Sequence, residues 1–367
     1  MRNPFNPTFG TVPITLVGRE DEISYIVERV STETASLYSA IICEGIRGVG
    51  KTAMLYELSG RLEAEHGWIA INVNTSSAML DDIMDQLFVK TKRLIDTGRT
   101  RISSFNFLQF GVGFENYEYE IKGFRTKFEI ILEELNEKGI SVYITVDEIH
   151  KEVSELRTFC ETVQMCFGRS YGIAVAFAGL PEAVAELLKY AKETRRITFL
   201  RRAKRVKLTN VPVESTAAFY EDIFRSNGVN VDVDDLKLAA TATQGYPFLI
   251  QLVGYFLWLS IKGESIGKLQ VAKAIDKARA ELEELVLESS YNDLSNGDRI
   301  FATEIAKVGD AVKVKDLITA TGKSKQYVNQ YLERLTDAGY IVRTERGTVA
   351  FAMPFMRSYI LSKQNRG

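Results

Sequence analysis

Histidine and cysteine are scarce, two and three in 367 residues. They show no paired spacing of the kind tetrahedral zinc needs, which argues against a zinc centre. The cysteines, Cys43, Cys160 and Cys166, are an odd and scattered set among apolar neighbours, which reads as free thiols in a reducing cytosol rather than a disulfide framework. An excess of one charge is lacking too. A formal charge of −2 rules out a generally polycationic wrapper of nucleic acid, so any DNA contact must be local. The most apolar segment, Phe248 to Ile261, is too short to span a bilayer and carries Gln251, the pattern of a buried helix. Met1-Arg2-Asn3-Pro4-Phe5 has no charged region leading into an apolar core; no secretory signal is read, and a cytoplasmic location without a membrane partner is expected. Repeats and low-complexity tracts are absent as well.

What is present is an ordinary globular composition, 46% hydrophobic and 26% charged, in a chain long enough for two or three domains whose cores need no covalent staples. Its most informative segment is Gly45-Ile46-Arg47-Gly48-Val49-Gly50-Lys51-Thr52, directly behind the apolar run Ala40 to Cys43. This fits the phosphate-loop pattern G-x-x-x-x-G-K-[ST] at every fixed position. A polyphosphate has to be wrapped closely by main-chain N–H groups, and residues without a Cβ allow that approach. Lys51 can reach the β- and γ-phosphates, the Thr52 hydroxyl can ligate Mg²⁺, and the helix opening at Thr52 and Ala53 offers its positive end to the anion. The alternative is a chance glycine turn between strand and helix.

A second acidic element follows. Val142-Tyr143-Ile144-Thr145-Val146-Asp147-Glu148 reads as a buried strand ending in two acids, a Walker B pattern. Asp147 can hold Mg²⁺ together with Thr52, and Glu148 can polarise the water that attacks the γ-phosphate; alternatively Glu148 caps the next helix. After the following strand, Ala178-Gly179-Leu180-Pro181 supplies no polar side chain to contact that water. From Lys189 to Lys207 the chain is strongly basic, with Glu193 the single acid. Arg196, Arg201 and Arg202 are candidates for an arginine that stabilises transition-state charge, in this chain or across a subunit boundary. A solvated face or a phosphate-backbone patch explains the same charges.

Strand-like runs at Ala40–Cys43, Trp68–Asn72, Val142–Val146, Ile173–Ala178 and Arg205–Leu208 alternate with helical patterns, so the expected fold class is α/β, a P-loop NTPase parallel sheet with helices on both faces. An N-terminal arm is expected at 1–20, the ATPase core at 21–212 with an aromatic hairpin insertion at about 101–122, a helical lid at 213–290 and a winged helix-turn-helix domain at 291–367. The aromatic insertion reads as a satellite patch on the core edge in preference to a partner surface. In the last domain Ser324 to Ala338 has the spacing of a recognition helix, capped by Ser324 and ended by Gly339. Lys325, Gln326, Asn329, Gln330 and Arg334 lie on its outward face, and Arg343 and Arg346 lie on the wing. These residue types read base edges or phosphates. A winged helix can instead pack on the ATPase core and report nucleotide state.

Taken in order, Gly18-Arg19-Glu20, the phosphate loop, Asp147-Glu148, Gly179-Leu180-Pro181 and Gly245-Tyr246-Pro247 resemble the AAA+ and STAND-like ATPases related to origin-recognition proteins. The tail from Gly347 to Met356 looks like the winged-helix ending of bacterial ATPases in this group. The resemblance implies ATP and Mg²⁺ as cofactors, Arg19 beside the adenine, and Tyr246 and Pro247 on the nucleotide. It also implies a molecular switch acting on double-stranded DNA or a protein partner, with self-association open. A non-catalytic regulator that holds nucleotide and works through protein contacts is the alternative.

Overall fold

The structure, a computed structural model, describes residues 2–8, 16–32, 37–96, 123–149, 154–169, 171–194 and 197–364; the insertion expected at about 101–122 lies outside them. Strands β1 (Ala40–Glu44), β2 (Ile69–Asn74), β3 (Val142–Asp147), β4 (Ile173–Gly179) and β5 (Lys204–Lys207) pair in the order β2-β3-β4-β1-β5. All four pairings are parallel. Parallel neighbours need long crossovers, and helices supply them. Helix α1 (Glu20–Thr32) precedes the sheet, and α2 (Lys51–His66) joins β1 to β2. Helices α3 (Met79–Asp96) and α4 (Phe124–Glu137) lie between β2 and β3, and α5 (Ser154–Gly168) between β3 and β4. Helix α6 (Pro181–Thr194) and the short α7 (Phe199–Arg202) lead into β5.

Strand alternation decides which helix meets which face. Ile41 and Cys43 of β1 join Ala174, Ala176 and Ala178 of β4 in a cluster with α1 and α2, while Ile42, Val175 and Phe177 point to the opposite layer. The alanine face of β4 leaves room for α2 to lie close over the sheet, which holds the segment preceding it at the strands' carboxyl ends. All three cysteines are buried and unpaired.

Four helices follow the sheet: α8 (Val213–Ser226), α9 (Val233–Ala242), α10 (Pro247–Leu259) and α11 (Lys268–Leu282). A two-residue pairing of β6 (Asn230–Val231) with β7 (Ser265–Ile266) pins their loops. Helix α10 starts on Pro247, whose missing N–H costs nothing there. Leu249, Ile250, Leu252, Val253, Leu257 and Trp258 are all buried, so this apolar segment is a core helix. Among the described residues no helix is long and apolar enough to cross a membrane. Residues 2–8 strap across α10. Phe5, 3% exposed, meets Phe219, Tyr220 and Phe224 at ring separations of 5.8, 5.8 and 5.9 Å. The strap fits because Gly254 has no side chain, where a Cβ would overlap the Phe5 ring.

Helix α11 runs through a π-helical turn, Glu283–Leu287, into α12 (Glu288–Asp293). The C-terminal unit comprises α13 (Asn296–Val308), β8 (Ala311–Lys313), α14 (Val314–Thr321), α15 (Lys325–Asp337), β9 (Ile341–Glu345), β10 (Thr348–Phe351) and α16 (Met356–Gln364). Its antiparallel sheet has the order β8-β10-β9. One apolar cluster extends from Phe5 through Tyr220, Leu252 and Leu287 to Leu335 and Ile360, so α8–α11 and the C-terminal unit share a core.

Candidate active site

The glycine-rich segment sits between the end of β1 and the start of α2. Gly48 and Gly50 have φ of 70° and 94°, the left-handed region that a residue with a Cβ enters at a cost. Lys51 is folded back, its Nζ donating to the carbonyls of Gly45 at 3.0 Å and Ile46 at 2.8 Å. Burial lowers its pKa to about 8, against the opposing pull of Asp147. Thr52 Oγ1 donates to Asp147 Oδ2 at 2.5 Å. Asp147, at the tip of β3 and 7% exposed, also accepts the Glu148 N–H on Oδ1 at 2.8 Å. Glu148 is exposed and sits at φ 50°, a conformation in which a non-glycine residue is strained and which clusters at functional sites.

The strand carrying Asp147 is held in place from below. Asn72 Oδ1 on β2 accepts from Ser59 of α2 and Thr145 of β3, each at 2.7 Å, tying both neighbours together in a buried polar network.

These groups line one cleft of about 610 Å³. Arg47 through Ala53 form its floor, with Asp147 and Glu148 on one side and Gly179, Leu180 and Ala183 beyond them. The position after β4 therefore offers no polar side chain. The opposite wall comes from the start of α10, with Pro247, Phe248, Ile250 and Gln251. The strap closes the cleft with Asn6, Pro7 and Thr8, beside Val17 and Arg19. Arg19 Nη2 donates to the Thr209 carbonyl at 2.6 Å, and Asn6 N–H to Gln251 Oε1 at 3.0 Å.

Among the described residues no group of three or more His, Cys, Asp or Glu is placed to hold a metal. The Thr52 hydroxyl and the Asp147 carboxylate, which meet at 2.5 Å, are hard oxygen donors of the kind that Mg²⁺ takes one or two of from a protein. Thr52 and Asp147 would hold it.

Several expected site residues fall elsewhere. Gly45 and Ile46 do not line the cleft; their carbonyls hold Lys51. Tyr246, expected on the nucleotide, is fully buried and donates its hydroxyl to the Arg47 carbonyl at 2.7 Å. It braces the phosphate loop from behind, and a Cβ on Gly48 would overlap its hydroxyl oxygen. Phe248 N–H reaches the Gly48 carbonyl at 3.2 Å, so α10 is bonded to the loop at two points. Arg201 and Arg202 are exposed on α7, at the amino end of β5, a strand length of about 13 Å from the cleft end of the sheet. They do not line this chain's cleft, which removes them as arginines acting within one chain. Arg196 lies outside the described residues.

On α15, Lys325, Gln326 and Gln330 are exposed and Asn329 is half-buried. Arg334 is committed to Asp298, with Nη2 2.7 Å from Oδ2. Arg343 and Arg346 stand exposed on the β9–β10 hairpin. Sequence reasoning missed the strap's part in the cleft, although Asn3-Pro4 and Asn6-Pro7 signal an extended segment. It also missed how the end of α12 and the C-terminal unit seat on the phosphate loop: Arg47 Nη1 pairs with Asp293 Oδ2, at the end of α12, at 2.8 Å, and Gly339 packs over Ile46.

Comparison with known proteins supplies a fold. The chain is similar to a Walker-type ATPase of Pyrococcus abyssi, at 16% identity and a TM-score of 0.64, covering 94% of this chain and 96% of that one. It also resembles Cdc6p of Pyrobaculum aerophilum, at 12% identity, a TM-score of 0.48 and coverage of 98% and 97%. A third match is domain III of the Thermotoga maritima replication initiation protein DnaA, at 11% identity, a TM-score of 0.41 and coverage of 74% and 98%. A family described as a domain of unknown function (DUF8462) matches residues 284–360. No curated protein sequence matches the chain. The fold is that of a Walker-type P-loop ATPase.

Proposed function

We propose that this chain binds ATP with Mg²⁺ in the cleft between sheet and α10, hydrolyses it, and passes the nucleotide state to the C-terminal unit. The observation that carries this reading is the meeting of Thr52 and Asp147 at 2.5 Å beside Lys51, with Glu148 one residue further on. Main-chain N–H groups of the loop and the start of α2 hold the polyphosphate, and Lys51 neutralises its charge once it leaves the carbonyls of Gly45 and Ile46. Thr52 and Asp147 would hold the metal, which would supply charge neutralisation for the polyphosphate. Glu148 orients the attacking water and takes its proton as the water oxygen bonds to the γ-phosphorus and the bond to the β–γ bridging oxygen breaks, with ADP as the leaving group. The apolar rim at Gly179 and Leu180 leaves the water with one protein partner fewer, which favours slow turnover. The output is contact with double-stranded DNA through the exposed half of α15 and the β9–β10 hairpin.

Calorimetric titration with ATP and a phosphate-release assay test the reading. Lys51→Ala is expected to lose nucleotide affinity, whereas Glu148→Gln keeps ATP and loses turnover by about 10²-fold or more. A Glu148→Gln chain that hydrolyses at the parent rate removes its assigned role.

A second reading, a nucleotide-holding regulator without turnover, is favoured by the seating of the C-terminal unit on the phosphate loop. Phosphate release at no more than background from the parent chain, with ATP bound, selects it.

A further inference from the structure

Few cationic side chains among the described residues line the cleft where a γ-phosphate would lie. Two arginines line it, Arg19 and Arg47. Arg19 is held by the Thr209 carbonyl at 2.6 Å and lies 3.9 Å from Glu22, its side chain 11% exposed. Arg47 is different. Its main-chain carbonyl is fixed by Tyr246 at 2.7 Å, while its side chain reaches Asp293 at 2.8 Å, with both side chains about half exposed at 49% and 50%. A half-exposed ion pair contributes little and exchanges readily. A γ-phosphoryl group carries more charge than a carboxylate and accepts the guanidinium fork in the same bidentate way.

We propose that Arg47 is a nucleotide-binding residue with two partners, Asp293 in the nucleotide-free chain and the γ-phosphate of bound ATP, and that the exchange releases α12 and the C-terminal unit from the phosphate loop. This rests on the ATP reading above. The geometry couples the two events. Lys51 must leave the carbonyls of Gly45 and Ile46 to meet the phosphates, and Ile46 is the residue over which Gly339 packs. Nucleotide arrival therefore disturbs two of the contacts that seat α12 and the C-terminal unit, Ile46 through its backbone and Arg47 through its side chain. ADP lacks the γ-phosphate and leaves Arg47 on Asp293. The site thereby tells the two nucleotides apart.

The test uses the full chain carrying spin labels at Glu65→Cys and Glu345→Cys, both exposed, since the native cysteines are buried. Dissociation constants for ATP and ADP are measured alongside the label distance. Arg47→Ala is expected to weaken ATP by about fivefold or more while ADP changes little, abolishing the preference. Asp293→Asn is expected to strengthen ATP relative to ADP by a similar factor and to shift the nucleotide-free distance towards the ATP-bound one. If either variant keeps the parent's ATP-over-ADP ratio and the parent's distances, the two-partner role of Arg47 falls while ATP binding stands. If the parent chain takes up neither nucleotide, the ATP reading falls and the exchange with it.

Discussion

Lys51 is an ammonium held in a buried setting by two carbonyl oxygens, and its acidity follows from that. Burial brings its pKa down from 10.5 to about 8. Between these values the unfolded chain binds more protons than the folded one, so Lys51 makes the nucleotide-free protein more stable as pH rises from about 8 to 10.5. Below about pH 8 the penalty for keeping the charge is fully present. A polyphosphate favours the charged form, so binding takes up a proton once the free residue has lost its own. ATP affinity is expected to be flat below about pH 8 and to fall by up to tenfold per unit above it, which titration calorimetry in buffers of different ionisation heat will follow. The phosphate loop itself was legible in the sequence, because wrapping a phosphate dictates glycine, lysine and hydroxyl at fixed spacing. The inward turn of Lys51 and the side of the loop that Tyr246 takes were not, since both are set by how α10 meets the loop rather than by neighbours along the chain.

Helix α15 shows how one element divides its surface. Val328, Leu332 and Leu335 are buried at the helical spacing visible in the sequence, and Ser324 caps the helix by accepting the Tyr327 N–H at 3.2 Å. Along its outer side Lys325, Gln326 and Gln330 give way to Glu333 and Asp337, so a phosphate backbone is attracted at the amino end and repelled at the other. Arg334 belongs to neither group. It lies over the Tyr331 ring at 5.3 Å and neutralises Asp298, whose Oδ1 is buried without a partner among the described residues. The proposed duplex contact then separates two substitutions in the full chain. Lys325→Glu should weaken DNA binding and lower the dependence of log K on log salt by about one. Arg334→Ala should leave that slope alone and cost about 1–2 kcal/mol of stability by leaving the Asp298 carboxylate with the Ser295 hydroxyl and no cation. Filter binding over a salt series and chemical denaturation read the two effects. Spacing marked Arg334 as outward-facing; the carboxylate that claims it sits on another helix and leaves no local trace.

At the scale of the molecule, the alternation of strands and helices announced the parallel sheet. The contacts that join its far parts bring Phe5 onto Gly254 and Arg47 onto Asp293, pairings with no period or motif to reveal them. Because α8–α11 and the C-terminal unit share one apolar cluster, they are expected to melt in one step rather than two. ATP with Mg²⁺ at a hundred times its dissociation constant should add about 2.7 kcal/mol, a rise of a few degrees in Tm that differential scanning calorimetry will register and that Lys51→Ala removes. The join between these helices is the π-helical turn at Glu283–Leu287, in effect one surplus residue in an otherwise α-helical rod. Each residue of an α-helix turns the chain by about 100° and advances it about 1.5 Å. That single extra residue thus acts as an angular spacer, clocking the end of α12 so that Asp293 faces Arg47; a rod of regular pitch would aim the carboxylate about a quarter-turn away and leave the phosphate loop unlatched.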